Sequence, residues 1–184
     1  GACATTAPEV PRPPPGLFED AAFAAPKHVP DAKAVFALSL QMRNYLERDI
    51  ASSIRQLGPQ RALVEALHTK AQLRLEYDAE LTRNAAEAFE ARAGNCLSLV
   101  IMTAAFAKAL DLPVRYQNVL TDETVSRVGD IQFFIGHVNL TLGARIDAGP
   151  GHDSDLMTID FLPPQQARGL SSRAVDEESI VAMY

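Results

Sequence analysis

The run CLSLVIMTAAFAKAL, residues 96–110, constrains the fold of this chain more than any other segment. Its apolar residues lie on every side of a helix, and a helix without a polar face has to sit between other elements rather than on a surface. Lys108 interrupts the run, which is also shorter than the roughly 18 to 20 residues needed to cross a bilayer. It therefore reads as the central helix of a folded domain. A chain of 184 residues, 47% of them hydrophobic, carries enough apolar material to enclose such a helix in one core.

The flanking patterns give the surroundings of that helix. Prolines at positions 8, 11, 13, 14, 15, 26 and 30 prevent regular helix over residues 1–30, which read as a Pro-rich linker or tether, and the domain proper is expected over residues 31–184. Asp31 is a candidate N-cap, and Val35, Phe36, Leu38, Leu40, Met42, Tyr45, Leu46 and Ile50 recur at helical spacing as far as the Gly58-Pro59 break, which predicts one long amphipathic helix. A second helix is expected from Pro59 through Leu63 and Leu67 towards Leu73 and Leu75, and a short third one from Thr82 to about Arg92, with Gly94 as its stop. After Asp111-Leu112-Pro113 the period changes to two. Strands are expected over 114–120, over 131–142 and over 156–161, with polar connections over 121–130 and 148–155. In the middle strand His137, Asn139 and Thr141 share one face, and Val138, Leu140 and Leu142 the other. Helices first and strands later, without a repeating strand-helix unit, argue for an α+β domain in which the N-terminal helices and the buried helix pack on an antiparallel sheet.

A net charge of -6 and a pI near 5.2 leave no basic patch to neutralise a phosphate backbone, so nucleic acid is excluded as a partner class. The two cysteines do not form a disulfide framework, and Cys96 reads as a free thiol. The opening Gly-Ala-Cys-Ala, followed by TTAPEVPRPPPG, resembles the start of a mature bacterial lipoprotein. That resemblance implies lipidation at Cys3, a tether holding the domain off the membrane, and a location in the cell envelope.

Cys96 stands at the first turn of the buried helix. Unpaired backbone N–H groups and the helix dipole place about half a positive charge there, which favours thiolate and offers donors to an oxyanion. A base has to come from elsewhere. Of four histidines His137 alone lies within a strong strand pattern, with Gly136 and Asn139 leaving room and polarity around it. The following strand offers Asp160, in TIDF, to hold the imidazole, and Asp147 and Asp155 are rival orienters in turn-rich sequence.

The order Cys, His, Asp, together with AEAFEARAGNCLSLVIMTAAFAKALDLPVRYQNV, Gly-His-Val-Asn-Leu and Thr-Ile-Asp-Phe, resembles the transglutaminase-like superfamily, relatives of the papain-type cysteine proteases. The resemblance covers residues 77–161: an approach helix, an R-x-G-x-C turn, a nucleophile helix, its exit into a strand, then a histidine strand and an aspartate strand. It implies a transglutaminase-like core with Cys96 as nucleophile, His137 as general base and acid, and Asp160 as orienter. Members often carry a Trp near the histidine, whereas this chain has none and shows Ile135-Gly136 there, and the GPGHDSD loop reads as an insertion.

The implied reaction is acyl transfer through a thioester on a protein or peptide substrate, without metal or organic cofactor, with hydrolysis favoured over crosslinking. The alternatives are a non-catalytic peptide-binding or scaffold module of the envelope and a purely structural envelope protein. Taken singly, each residue has a plainer reading. A lone Cys in apolar surroundings is an inert small hydrophobe, and a lone His a hydrogen-bonded sheet residue. His152, Asp153 and Asp155 lack a ligand spacing and read as a solvated turn, and Gly149-Pro-Gly151 is followed by no helix that would make it a phosphate loop. His28 and His68 read as linker and surface residues, and Arg92 as a partner for Glu87, Glu90 or Asp111. The closing EESIVAMY is an amphipathic fragment, read as the first helix of a C-terminal helical repeat array.

Overall fold

The helix capped by Asp31 ends after a single turn. In this computed structural model, which describes residues 29–68, 73–120, 125–128, 131–134, 136–143, 156–161 and 171–184, α1 spans Ala32–Val35, with Asp31 Oδ1 accepting from the Lys33 N–H at 3.0 Å. Ser39 caps α2, Leu40–Asn44, by accepting the Met42 N–H at 3.2 Å. Tyr45–Asp49 then form a turn of π-helix, in which the Ile50 N–H reaches back to the Tyr45 carbonyl at 3.1 Å, and α3 follows at Ala51–Leu57. The long helix expected over 31–57 is thus broken. Its apolar spacing is real, but the Ser39 side chain takes backbone donors for a new cap, and the wider turn brings Tyr45, Leu46 and Ile50 into the core together.

Gly58, at φ 82°, turns the chain into α4, Pro59–His68, which buries Ala62, Leu63, Ala66 and Leu67 and leaves His68 exposed. Helix does not continue to Leu73 and Leu75: Leu73 is a buried turn residue, Arg74 has φ 51°, and β1 occupies Glu76–Tyr77. The third helix, α5, starts later than Thr82, at Ala85–Ala91, because Asn84 and Glu87 form a reciprocal capping box with bonds of 2.9 and 3.0 Å. Arg92, not Gly94, is its left-handed cap, at φ 52°. Gly94 belongs instead to β2, Ala93–Gly94, which pairs in parallel with β1, Tyr77 against Gly94. A Cβ at Gly94 would stand 2.6 Å from the Ser98 Cβ, so only glycine lets the turn lie this close to the helix that follows.

That helix is α6, Cys96–Ala109, and every residue from Leu97 to Ala107 is buried. β3, Val114–Leu120, follows its exit; β4, Val125–Val128, and β5, Ile131–Phe134, form a separate antiparallel pair; and β6, His137–Leu142, β7, Met157–Ile159, and β8, Ser171–Val175, complete the strands. The chain ends in α7, Glu177–Met183, capped by Asp176. β7, β6, β3 and β8 lie in that order in one antiparallel sheet, so the protein is a mixed helix and sheet structure with β6 inside the sheet. Two expectations are corrected here. The stretch 131–142 holds two strands in two sheets, one described to Phe134 and the other from His137, and the connection 121–130 contains β4.

α6 packs on β6, and Val138, Leu140 and Leu142 join Ile101, Met102 and Phe106 in the core. Phe106 meets Tyr45 and Phe89 with ring centroids 5.9 and 5.6 Å apart. α7 packs against α1 and α6: Ile180 is fully buried, Glu177 accepts the Tyr116 hydroxyl at 3.0 Å and pairs with Lys108, and the Lys108 ammonium lies 4.4 Å from the Phe36 ring centre. No helix among the described residues is long and apolar enough to cross a membrane.

Candidate active site

Cys96 is fixed by the turn that precedes it. Asn95 caps α6 by accepting the Ser98 N–H at 2.9 Å, and its carboxamide donates to Thr82 Oγ1 at 2.9 Å. Ser98, fully buried, donates its hydroxyl to Asn95 Oδ1 at 2.8 Å and accepts the Arg83 N–H at 2.8 Å. The cap, the helix and the approach to α5 therefore lock the first turn from three directions. Cys96 is half-buried, a free thiol at the floor of a cleft of about 500 Å³. Leu97, Val138 and Met183 give the cleft apolar walls, and Tyr77 and Asn118 add polar groups.

β6 brings His137 to the same place. His137 and Asn139 are alternate residues of one strand and β7 pairs beside them, Leu140 opposite Ile159, so the next residue, Asp160, falls where both can reach it. His137 Nε2 lies 2.8 Å from Asp160 Oδ1, and Asn139 Nδ2 donates to Asp160 Oδ2 at 2.9 Å. Thr141 and Thr158 continue the same polar face, hydroxyl to hydroxyl at 3.0 Å. His137 and Asn139 are 4% and 7% exposed, so this network works away from water, where each bond counts for more. Asn139 Oδ1 is buried and finds no hydrogen-bond partner among the described residues.

With Nε2 held by Asp160, the other ring nitrogen of His137 is left for the thiol, and the ring and the Cys96 sulfur are within hydrogen-bonding reach. Burial pushes the Cys96 thiol up, but the hydrogen bond with His137, the backbone N–H groups of Val138 and Leu97, and the imidazolium charge outweigh it, so the thiol ends below its ordinary value. Burial likewise disfavours a charged His137 ring. Hydrogen bonds and charge from Asp160 and Cys96 prevail, and the ring is pushed up to about 9. Both shifts favour a thiolate paired with an imidazolium, a nucleophile that carries its own acid.

Cys96, His137 and Asp160 are thus brought together. Of the rival orienters, Asp147 and Asp155 lie outside the described residues, as do Cys3, His28, His152, Asp153 and the Pro-rich segment. Arg92 Nη1 donates to the Leu73 carbonyl at 3.0 Å, and its guanidinium lies 5.8 Å from the Phe89 ring centre. The sequence marks Asn139 only as polarity near His137, although its place two residues after the histidine puts it on the same face. Tyr77 carried no signal in spacing, because it reaches the site through a two-residue strand.

No family model, curated protein or solved structure matches the chain.

Proposed function

We propose that this protein is a cysteine acyl-transfer enzyme of transglutaminase-like type that cleaves or transfers amide bonds of a protein or peptide through a thioester on Cys96. The observation that carries the reading is the placement of His137, bonded to Asp160 at 2.8 Å, beside the half-buried Cys96 at the start of α6, which lines a cleft. The Cys96 sulfur attacks the amide carbonyl carbon and forms the C–S bond, and the carbonyl oxygen takes the negative charge beside the helix N-terminus. His137 gives its proton to the departing nitrogen as the C–N bond breaks. A water molecule or an amine then attacks the thioester, His137 takes the proton of that nucleophile, and the C–S bond breaks to restore the thiolate. Hydrolysis is the favoured outcome. Asp160 stays ionised throughout and holds the ring, and Asn139 holds Asp160. The reading extends to an envelope location through lipidation at Cys3, supported by the small residues around Cys3 and the Pro-rich stretch after it.

The test is acid-quenched mass spectrometry after incubation with peptidyl anilides, in the presence and absence of a labelled primary amine. The expected result is an acyl group on Cys96 and release of the aniline; amine label in the product marks transfer, and its absence marks hydrolysis. No acylated Cys96 with any donor overturns the reading in favour of a binding module. The pH dependence follows from the two shifts. Turnover is expected to rise as pH climbs through the lowered thiol value, when thiolate forms, and to fall as pH passes about 9, when His137 loses the proton the leaving group needs. The two limbs belong to the coupled pair.

A further inference from the structure

Tyr77 is held more firmly than a two-residue strand needs for its own sake. The Glu76 N–H donates to the Arg92 carbonyl at 2.9 Å and the Asp78 N–H to the Gly94 carbonyl at 3.0 Å, so Tyr77 is clamped between two bonds to the turn that leads into Cys96. Asp78 is in turn paired with Arg83 at 2.7 Å, and the Arg83 N–H is bonded to Ser98 in the first turn of α6. Backbone and side chains together tie this strand to the nucleophile's own turn. Yet the side chain it carries fills no core. It is 56% exposed, projects into the cleft that contains Cys96, and its hydroxyl is within hydrogen-bonding reach of the Cys96 N–H. That N–H belongs to the residue that carries the sulfur and can reach an oxygen on a carbon bonded to it.

We propose that Tyr77 is a further catalytic residue, its phenol O–H serving with the Cys96 N–H as the pair of donors to the acyl oxygen. The proposal deepens the acyl-transfer reading and rests on it. In this structure the phenol oxygen faces the Cys96 N–H; an entering carbonyl oxygen takes that N–H, and the exposed phenol rotates to present its hydrogen to the same oxygen. As the C–S bond forms, the carbonyl π pair moves onto oxygen, and the new charge is shared between N–H and O–H without transfer of the phenolic proton. Partial desolvation in the cleft, then the nearby Cys96 charge, hold the Tyr77 phenol above its ordinary value, so it keeps that proton.

Two reagents separate this role from a structural one. Iodoacetamide alkylates a thiolate by displacement at a saturated carbon and makes no oxyanion, whereas p-nitrophenyl acetate acylates it through one. In a Cys3→Ser background, Tyr77→Phe is expected to slow acetylation of Cys96 roughly 100-fold, in the range of a lost oxyanion donor, and to leave the alkylation rate unchanged. Acetylation at the native rate, or a parallel loss of both reactions, overturns the proposal. A native protein that is alkylated but never acetylated contradicts the acyl-transfer reading itself, and this proposal falls with it.

Discussion

Replacing His137 with alanine is expected to lower turnover of an amide substrate by about 10² to 10⁴-fold, the usual worth of a positioned general acid and base. Two effects act in the same direction. The thiol loses the hydrogen bond and charge that draw it below its ordinary value, leaving burial to push it back up, and the leaving nitrogen loses its proton source. Asp160 keeps the Asn139 carboxamide at 2.9 Å but loses its ring partner, so the variant is also expected to lose about 1 to 3 kcal/mol of stability. His137→Gln separates the two consequences. Its carboxamide N–H can replace the bond to Asp160 and recover stability, but it cannot carry a proton, so turnover stays low. Steady-state kinetics and urea unfolding on the two variants check this, and restored turnover in His137→Gln would assign the histidine a structural role alone.

The second large effect concerns the helix that places the thiol. Phe106→Ala is expected to cost about 3 to 5 kcal/mol, because the ring is fully buried between Tyr45 and Phe89 and its loss leaves a cavity those rings fill only partly. Leu57→Ala, at a side chain 45% exposed, is the control and is expected to stay within about 0.5 kcal/mol. Urea midpoints at constant slope measure both. A loss below about 1 kcal/mol for Phe106→Ala would show that α6 is not the packed centre of the domain.

The sequence makes the centre of this fold visible and its margins less so. Cys96–Ala109 can be recognised as a buried helix because an apolar surface on every side leaves it nowhere else to lie, and His137 and Asn139 share a face because alternation in a strand fixes direction. Asp160 follows from the same rule applied to the next strand. The breaks are harder to see. Within 131–142 the apolar positions switch from odd, Ile131 and Phe133, to even, Val138, Leu140 and Leu142, but the continuous apolar run Phe133-Phe134-Ile135 covers the switch, so the departure of β5 for a partner of its own at Val125–Val128 is hard to see. The helix expected over 31–57 hides its break in the same way, since a Ser39 cap and a π turn both preserve the apolar spacing they interrupt. Tyr77 is beyond periodicity altogether. It meets Gly94 through a parallel pairing of two residues, a contact that exists only once α5 has turned the chain back at Arg92.

The ionisation of Cys96 is the point on which the proposed chemistry turns, and the rate of its alkylation as a function of pH measures it directly. With Cys3 replaced by serine, the native protein is expected to react with iodoacetamide at pH 6 faster than a simple thiol such as glutathione, and His137→Ala to remove that advantage. A native rate at pH 6 no faster than glutathione, and unchanged by His137→Ala, would contradict an activated nucleophile at Cys96.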